Sequence, residues 1–207
     1  MQLPRRITAR YIRHAESVSN IEGYLSHRCA DLPLSPLGQR QVVRLAGGLA
    51  TDVPIGTVIL SSPLRRAVET AHVIALALGT EVQIMEELRE LDVGDLDGKN
   101  DAASWLAHNA VLDAWDGGDA AAAFPGGECM AEASMRICKG LVHAAAVEQL
   151  TNASPLIVAH GGILRAAMSI CSARCDLLRH IENCGEVKLE YFVDNSGTVR
   201  DLLVSRP

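Results

Sequence analysis

Three short stretches carry side chains that can do chemistry together: Arg13-His14-Ala15-Glu16-Ser17, Ser61-Ser62-Pro63-Leu64-Arg65-Arg66 and His160-Gly161-Gly162. Each follows a β-branched apolar run, so each sits where a strand ends. In an open α/β sheet, ligands collect at the carboxyl ends of the strands. Two histidines and at least two arginines would then meet on one rim. Such a group repels itself unless an anion lies between its members, and guanidinium forks match the oxygens of a tetrahedral phosphate. Helices that start just after the strand ends would add backbone N–H groups and positive dipole ends of ~0.3–1 kcal/mol each. The residue types therefore predict a phosphate pocket.

The elements that must position this rim are legible as apolar runs. Candidate strands are Ile7–Ile12, Thr57–Leu60, Val82–Met85, Leu156–Ala159, Val187–Val193 and Val199–Val204. The last two flank Asp194-Asn195-Ser196-Gly197, turn chemistry for a terminal antiparallel hairpin. Candidate helices are Pro36–Leu49, Pro63–Leu78, Met130–Leu150 and Gly162–Cys171, with Ser62 as N-cap and Pro63 at the first position of the second. The alternation of the two predicts an α/β fold with a largely parallel sheet. The stretch 98–127 is too short to bury its own core, and reads as an insertion in a single domain spanning residues 1–207.

Composition narrows the partners. The 207 residues carry a formal charge of -6, and only 3% are aromatic. Duplex binding needs clustered Lys and Arg, and single-strand binding needs stacking platforms, so no nucleic acid is expected. No apolar run approaches the ~20 residues that span a bilayer. The N-terminal stretch has four arginines but no apolar signal core, which gives no membrane partner and a cytoplasmic placement. The six cysteines contain no Cys-x-x-Cys and read as reduced thiols, with Cys171 and Cys175 as small core residues on one helical face. Oligomeric state is left open by the sequence.

The functional stretches resemble a known family. Arg13-His14-Ala15-Glu16-Ser17-Val18-Ser19-Asn20 is similar to the Arg-His-Gly-Glu signature of the histidine phosphatase superfamily, which has the phosphoglycerate mutase-like fold. Leu32-Pro33-Leu34-Ser35-Pro36-Leu37-Gly38-Gln39, the Ser61–Ala71 helix start, Leu88–Gly98, Pro125-Gly126-Gly127-Glu128 and Val158-Ala159-His160-Gly161-Gly162 resemble further motifs of that family, in family order. The resemblance implies a three-layer α/β/α fold with an antiparallel edge to its mostly parallel sheet. It implies a metal-independent phosphatase, without cofactor, acting on a small phosphorylated metabolite. His14 would become phosphohistidine, Glu90 would donate the proton, and Arg13, Arg66, His160, Asn20 and Gly161 would hold the phosphoryl oxygens.

Ala15 departs from the pattern, in which a glycine follows the first histidine. Its methyl is expected to tighten the pocket, and a positive φ there would cost about 1 kcal/mol. The residues also admit other readings. Glu90 lies among Glu86, Glu87 and Asp92, where a solvated acidic loop explains any one carboxylate. Asn20 could cap the following turn instead of touching phosphate. Arg65 reads as solvated, and His27 and Arg28 as surface loop. His72, His108, His143 and His180 read as structural, and Trp105, Trp115 and Phe124 as either an apolar lid or packing. Family mutases carry more arginines between the Glu motif and the second histidine, whereas Arg136 is alone between Asp92 and His160. Hydrolysis is therefore expected over phosphoryl transfer to a second substrate hydroxyl. A metal-dependent hydrolase with His14, His160 and Glu90 as ligands, and a non-catalytic phospholigand-binding module, are the rivals from other classes.

Overall fold

The computed structural model describes residues 6–167 and 181–207. Strand β1 (Arg6–Arg13) buries Ile7, Ala9 and Tyr11 toward one core and Ile12 toward another, as period-2 side chains must in a strand covered on both faces. Strands β2 (Ile59–Ser61) and β4 (Leu156–Ala159) are wholly buried. With β3 (Val82–Ile84), β5 (Glu186–Val193) and β6 (Val199–Ser205), they form a six-stranded sheet in the order β3-β2-β4-β1-β5-β6. The pairs β3/β2, β2/β4 and β4/β1 are parallel, while β1/β5 and β5/β6 are antiparallel. The sheet is mixed, mostly parallel at one side with an antiparallel edge.

Helices α2 (Pro36–Asp52) and α3 (Arg65–Leu78) cover the face that holds Ile12, Ile59, Leu156 and Val158. Helices α4 (Ala102–Asp116), α5 (Met130–Thr151) and α6 (Gly161–Ala166) pack on the opposite, larger core, which gives three layers. The short helix α1 (Val18–Glu22) follows β1. Half of stretch 98–127 is helical: Asp101 caps α4 by accepting from the Ser104 N–H at 3.0 Å, and Leu112, Trp115 and Phe124 join the larger core. Burial of Trp115 and Phe124 makes them packing rather than a lid.

The expected start of α3 is wrong by two residues. Ser62 and Pro63 precede the helix, which begins at Arg65 with Leu64 as N-cap. The Asp31 carboxylate, brought from a distant loop, accepts from the Arg65 N–H at 2.9 and 3.0 Å. Ser62 has another partner, described below. The expected helix Gly162–Cys171 is seen as α6 up to Ala166, and Cys171, Cys175 and His180 lie outside the described residues. Cys29, Cys129, Cys138 and Cys184 are free thiols. Among the described residues no helix is long and apolar enough to cross a membrane.

Gly38 shows how closely the first turn of α2 approaches the β1 loop. A Cβ at this position would overlap the Glu16 carbonyl oxygen, which accepts from the Ser35 N–H at 2.9 Å. Gly38→Ala is expected to destabilise the fold by about 1–3 kcal/mol, read as a lower urea midpoint.

Candidate active site

The register Arg13↔Ala159 and Ser61↔Val158 sets the ends of β1, β4 and β2 side by side. His14 and His160 therefore emerge next to each other, with ring centroids 5.0 Å apart and planes tilted by 60°. The Tyr11 hydroxyl pins the second, donating to the His160 carbonyl at 2.7 Å and accepting from its N–H at 3.1 Å. His14 Nδ1 lies 2.7 Å from the Ala15 carbonyl oxygen, so Nδ1 carries the proton. Its Nε2 then presents a lone pair, which accepts from Arg66 Nε at 3.1 Å. The rest of the Arg66 fork is fixed by Ser26, through its hydroxyl at 3.1 Å and its carbonyl at 2.9 Å. Arg13 donates through Nη1 to the Ile181 carbonyl at 2.6 Å, while its buried Nε has no partner among the described residues. His160 Nε2 lies 2.7 Å from the Ser62 hydroxyl, whose oxygen also accepts from the Leu64 N–H at 3.3 Å, and the buried Nδ1 of His160 is likewise unpartnered.

Both imidazoles are fully buried, and this changes the electrostatics expected from sequence. Burial first, then the Arg66 and Arg13 charges, push His14 well below the usual imidazole range, against its hydrogen bond to Ala15. Burial, Arg66, His14 and Arg13 do the same to His160. The rings are neutral in the unliganded protein, so their mutual repulsion with the arginines is relieved without an anion.

Glu90 reaches the site from the turn after β3. Its carboxylate accepts from the N–H groups of Ile163 at 2.6 Å, Leu91 at 2.9 Å and Gly162 at 3.2 Å. This contact needs a glycine at 162, where a Cβ would stand 2.6 Å from Glu90 Oε1. The turn is clamped from behind by Arg136, which donates to the carbonyls of Glu87, Arg89 and Glu90 and pairs with Glu128 at 2.6 Å. His27, expected on the surface, is 4% exposed and holds the Glu90 carbonyl through Nδ1 at 2.8 Å. No motif in the sequence connects His27 or Arg136 with Glu90, because both act through main-chain carbonyls.

The anticipated helix-end donors are largely occupied. Asp31 takes the Arg65 N–H, Glu90 takes those of Gly162 and Ile163, and the Ser17 hydroxyl takes that of Asn20. Asn20 Oδ1 accepts in turn from the Ser17 N–H at 3.0 Å, completing a capping box. Its carboxamide still borders the cavity, as does Gly161. Ala15 does not have a positive φ, and its methyl is buried in the α2/α3 core. The expected strain and tightening of the pocket therefore do not arise. Arg65 is solvated as expected, paired with Glu69 at 2.7 Å.

A cavity of about 400 Å³ opens over His14, Arg13, Arg66 and Glu90. Its wall includes Trp105, His108 and Asn109 from α4, and Arg165 from α6. His108 is thus a wall residue rather than a structural one, and Trp105 lines the cavity while donating to the Gly23 carbonyl at 2.7 Å.

Comparison with known proteins decides the family, because the model of the histidine phosphatase superfamily (branch 1) matches residues 11–200. The chain belongs to this superfamily. It is similar to "Putative phosphoserine phosphatase 2" of Hydrogenobacter thermophilus, at 36% identity over 77% of this chain and 75% of the relative. It is also similar to "Probable phosphoglycerate mutase GpmB" of Salmonella choleraesuis, at 30% identity over 87% of this chain and 83% of the relative. Among solved structures, the mycobacterial glucosyl-3-phosphoglycerate phosphatase complexed with VO3 shares the fold, with a TM-score of 0.76 at 24% identity over 97% of both chains. A phosphoglycerate mutase from Bacillus anthracis aligns with a TM-score of 0.76 at 18% identity, over 99% of this chain and 93% of that one.

The two buried rings of this histidine phosphatase make its stability depend on pH. Each imidazole takes up a proton near pH 6.5 in the unfolded chain. In the fold each stays deprotonated well below that value. The unfolded state therefore binds more protons as pH falls, and stability declines with it. The loss is expected to approach about 1.4 kcal/mol per pH unit per imidazole below ~6.5. Urea unfolding at pH 7.5 and 5.5 measures this, and equal stability at the two values would contradict it.

Proposed function

We propose that this protein is a metal-independent phosphatase that hydrolyses a small phosphorylated metabolite through a phosphohistidine on His14, with Glu90 as proton donor. His14 carries the reading. With its Nδ1 proton held by the Ala15 carbonyl, the ring keeps a lone pair on Nε2 at neutral pH, oriented by Arg66. A neutral imidazole beside two guanidinium groups is a nucleophile placed where phosphoryl charge is stabilised.

In the first step Nε2 gives up its hydrogen bond from Arg66 Nε and attacks phosphorus in line, the ester P–O bond breaks, and Glu90 protonates the departing oxygen. The positive charge that develops on the phosphorylated ring is shared with the Ala15 carbonyl. Arg13, Arg66, the unpartnered Nδ1 of His160, the Asn20 carboxamide and the Gly161 N–H would hold the phosphoryl oxygens. In the second step Glu90 takes a proton from water as it attacks phosphorus, the P–N bond breaks, and phosphate leaves with His14 neutral again. Residues 1–207 would act as one domain, in which 98–127 supply part of the substrate wall. A cytoplasmic location suits the free thiols of Cys29, Cys129, Cys138 and Cys184.

The rivals meet specific obstacles. Arg136, which could have held a mutase substrate's carboxylate, is engaged by Glu128 and three carbonyls behind the Glu90 turn. Two arginines beside the imidazoles disfavour a dication, and the Glu90 carboxylate is directed at backbone N–H groups. A phosphate-release screen over sugar phosphates, phosphoglycerates, nucleotides and phosphoamino acids tests the proposal. Turnover that persists in chelator is expected, and 3-phosphoglycerate with a bisphosphate primer should give phosphate or nothing. Activity restored only by zinc or manganese, formation of 2-phosphoglycerate without release, or tight phosphate binding without turnover would each overturn it.

A further inference from the structure

We propose that the cavity wall built by α4 and Arg165 is a leaving-group subsite for an uncharged, hydroxyl-bearing group such as a sugar, and that it disfavours carboxylate-bearing esters. The inference rests on the phosphatase reading and names its substrate class. Helix α4 turns Trp105, His108, Asn109 and Leu112 toward the cavity, at the i, i+3, i+4, i+7 spacing of one helical face.

His108 is fixed there by aromatic contacts. The Trp105 ring meets it edge-on at 5.2 Å and the Phe124 ring stacks at 5.3 Å. Its Nδ1 lies 3.1 Å from Asn109 Oδ1, a contact that favours the tautomer with the proton on Nδ1 and Nε2 as the acceptor. Burial draws this imidazole below its ordinary value, and Arg165 adds to the effect against Asn109 and Glu90. The ring is an uncharged acceptor at neutral pH.

One turn along, Arg165 supplies the complement. Its Nη2 pairs with Asp116 at 2.8 Å and reaches the Leu112 carbonyl at 3.4 Å. Its Nε is buried with no hydrogen-bond partner among the described residues, and is a donor in need of an acceptor. A wall that offers one acceptor and one donor suits hydroxyl groups, which can both donate to His108 and accept from Arg165. A carboxylate can only accept. It would set its lone pairs against His108 Nε2, and it would meet a guanidinium whose charge is already matched by Asp116. An ammonium group would suit His108 but, having only donors, would leave the Arg165 Nε without an acceptor. Trp105 and Leu112 provide the apolar surface on which the C–H face of a sugar ring packs. The cavity of about 400 Å³ has room for such a group beyond the phosphoryl group itself.

The test compares kcat/KM for glucose 6-phosphate, ribose 5-phosphate, 3-phosphoglycerate, phosphoserine and p-nitrophenyl phosphate, the last having no hydroxyl on its leaving group. At least one sugar ester is expected to exceed both carboxylate esters by about tenfold or more. His108→Phe, which keeps the ring stack and removes the acceptor, should lower the sugar-to-nitrophenyl ratio about tenfold, whereas His108→Gln should keep most of it. Carboxylate esters turned over as fast as both sugar esters by the unaltered protein, or a His108→Phe variant that leaves the ratio unchanged, would overturn the subsite while leaving the phosphatase standing. Phosphate release from none of the five would instead overturn the phosphatase reading and the subsite with it.

Discussion

His14→Ala is expected to lower kcat on every phosphomonoester by about 10⁴-fold or more, the scale seen when a covalent nucleophile is removed. The binding groups survive the change. Arg13 stays held by the Ile181 carbonyl and Arg66 by Ser26, so substrate and inorganic phosphate should still bind. Removing the ring also takes away a buried imidazole that burial and two guanidinium charges hold deprotonated. The pH-dependent part of the stability that His14 contributes should disappear with it, while the sheet ends remain paired through Arg13↔Ala159. Steady-state assays on the purified variant, with its urea midpoint at pH 7.5 and 5.5 as the check on folding, measure both effects. A folded variant retaining activity within tenfold of the unaltered protein would place the nucleophile elsewhere.

Glu90→Gln is expected to lose about 10²- to 10⁴-fold in kcat/KM on alkyl esters, the usual range for a general acid–base group, in a parameter that reports only the steps up to leaving-group departure. The loss should be much smaller for p-nitrophenyl phosphate, whose leaving group departs without a proton. That contrast separates proton donation from displacement. The Gln amide would turn an NH₂ toward the N–H of Ile163 or Gly162, which the carboxylate now accepts at 2.6 and 3.2 Å, so the side chain will shift somewhat in any case. A shift alone slows both substrates alike, whereas loss of the acid slows only the one that needs it. Equal losses on the two esters would remove Glu90 from the proton-donor role.

The strands were legible because their β-branched runs end abruptly, and Leu156–Ala159 is found with the expected bounds. Their order in the sheet, which sets His14 beside His160, follows from the family resemblance more than from any local pattern. What escaped the sequence is what depends on partners far along the chain. Ser62-Pro63 has the composition of a helix start, but the Ser62 hydroxyl serves His160, 98 residues away, and the cap comes from Asp31. The helix N-termini looked ready for phosphate, yet Glu90 and Asp31 occupy most of those donors, so the proposed phosphate contacts fall mainly to side chains beside the Gly161 N–H. His108 reads in the sequence as a helical histidine without partners, because the stacking of Phe124 on it exists only in the fold. The methyl of Ala15 could not be placed without knowing which sheet face it joins.

Rapid quenching of the enzyme during turnover of ³²P-labelled substrate tests the covalent step most directly. The expected result is one labelled site per chain, stable in base and labile in acid, mapping to a peptide that contains His14 and missing from His14→Ala. Label that survives acid, label on another residue, or full turnover with no trapped phosphoryl group would contradict it.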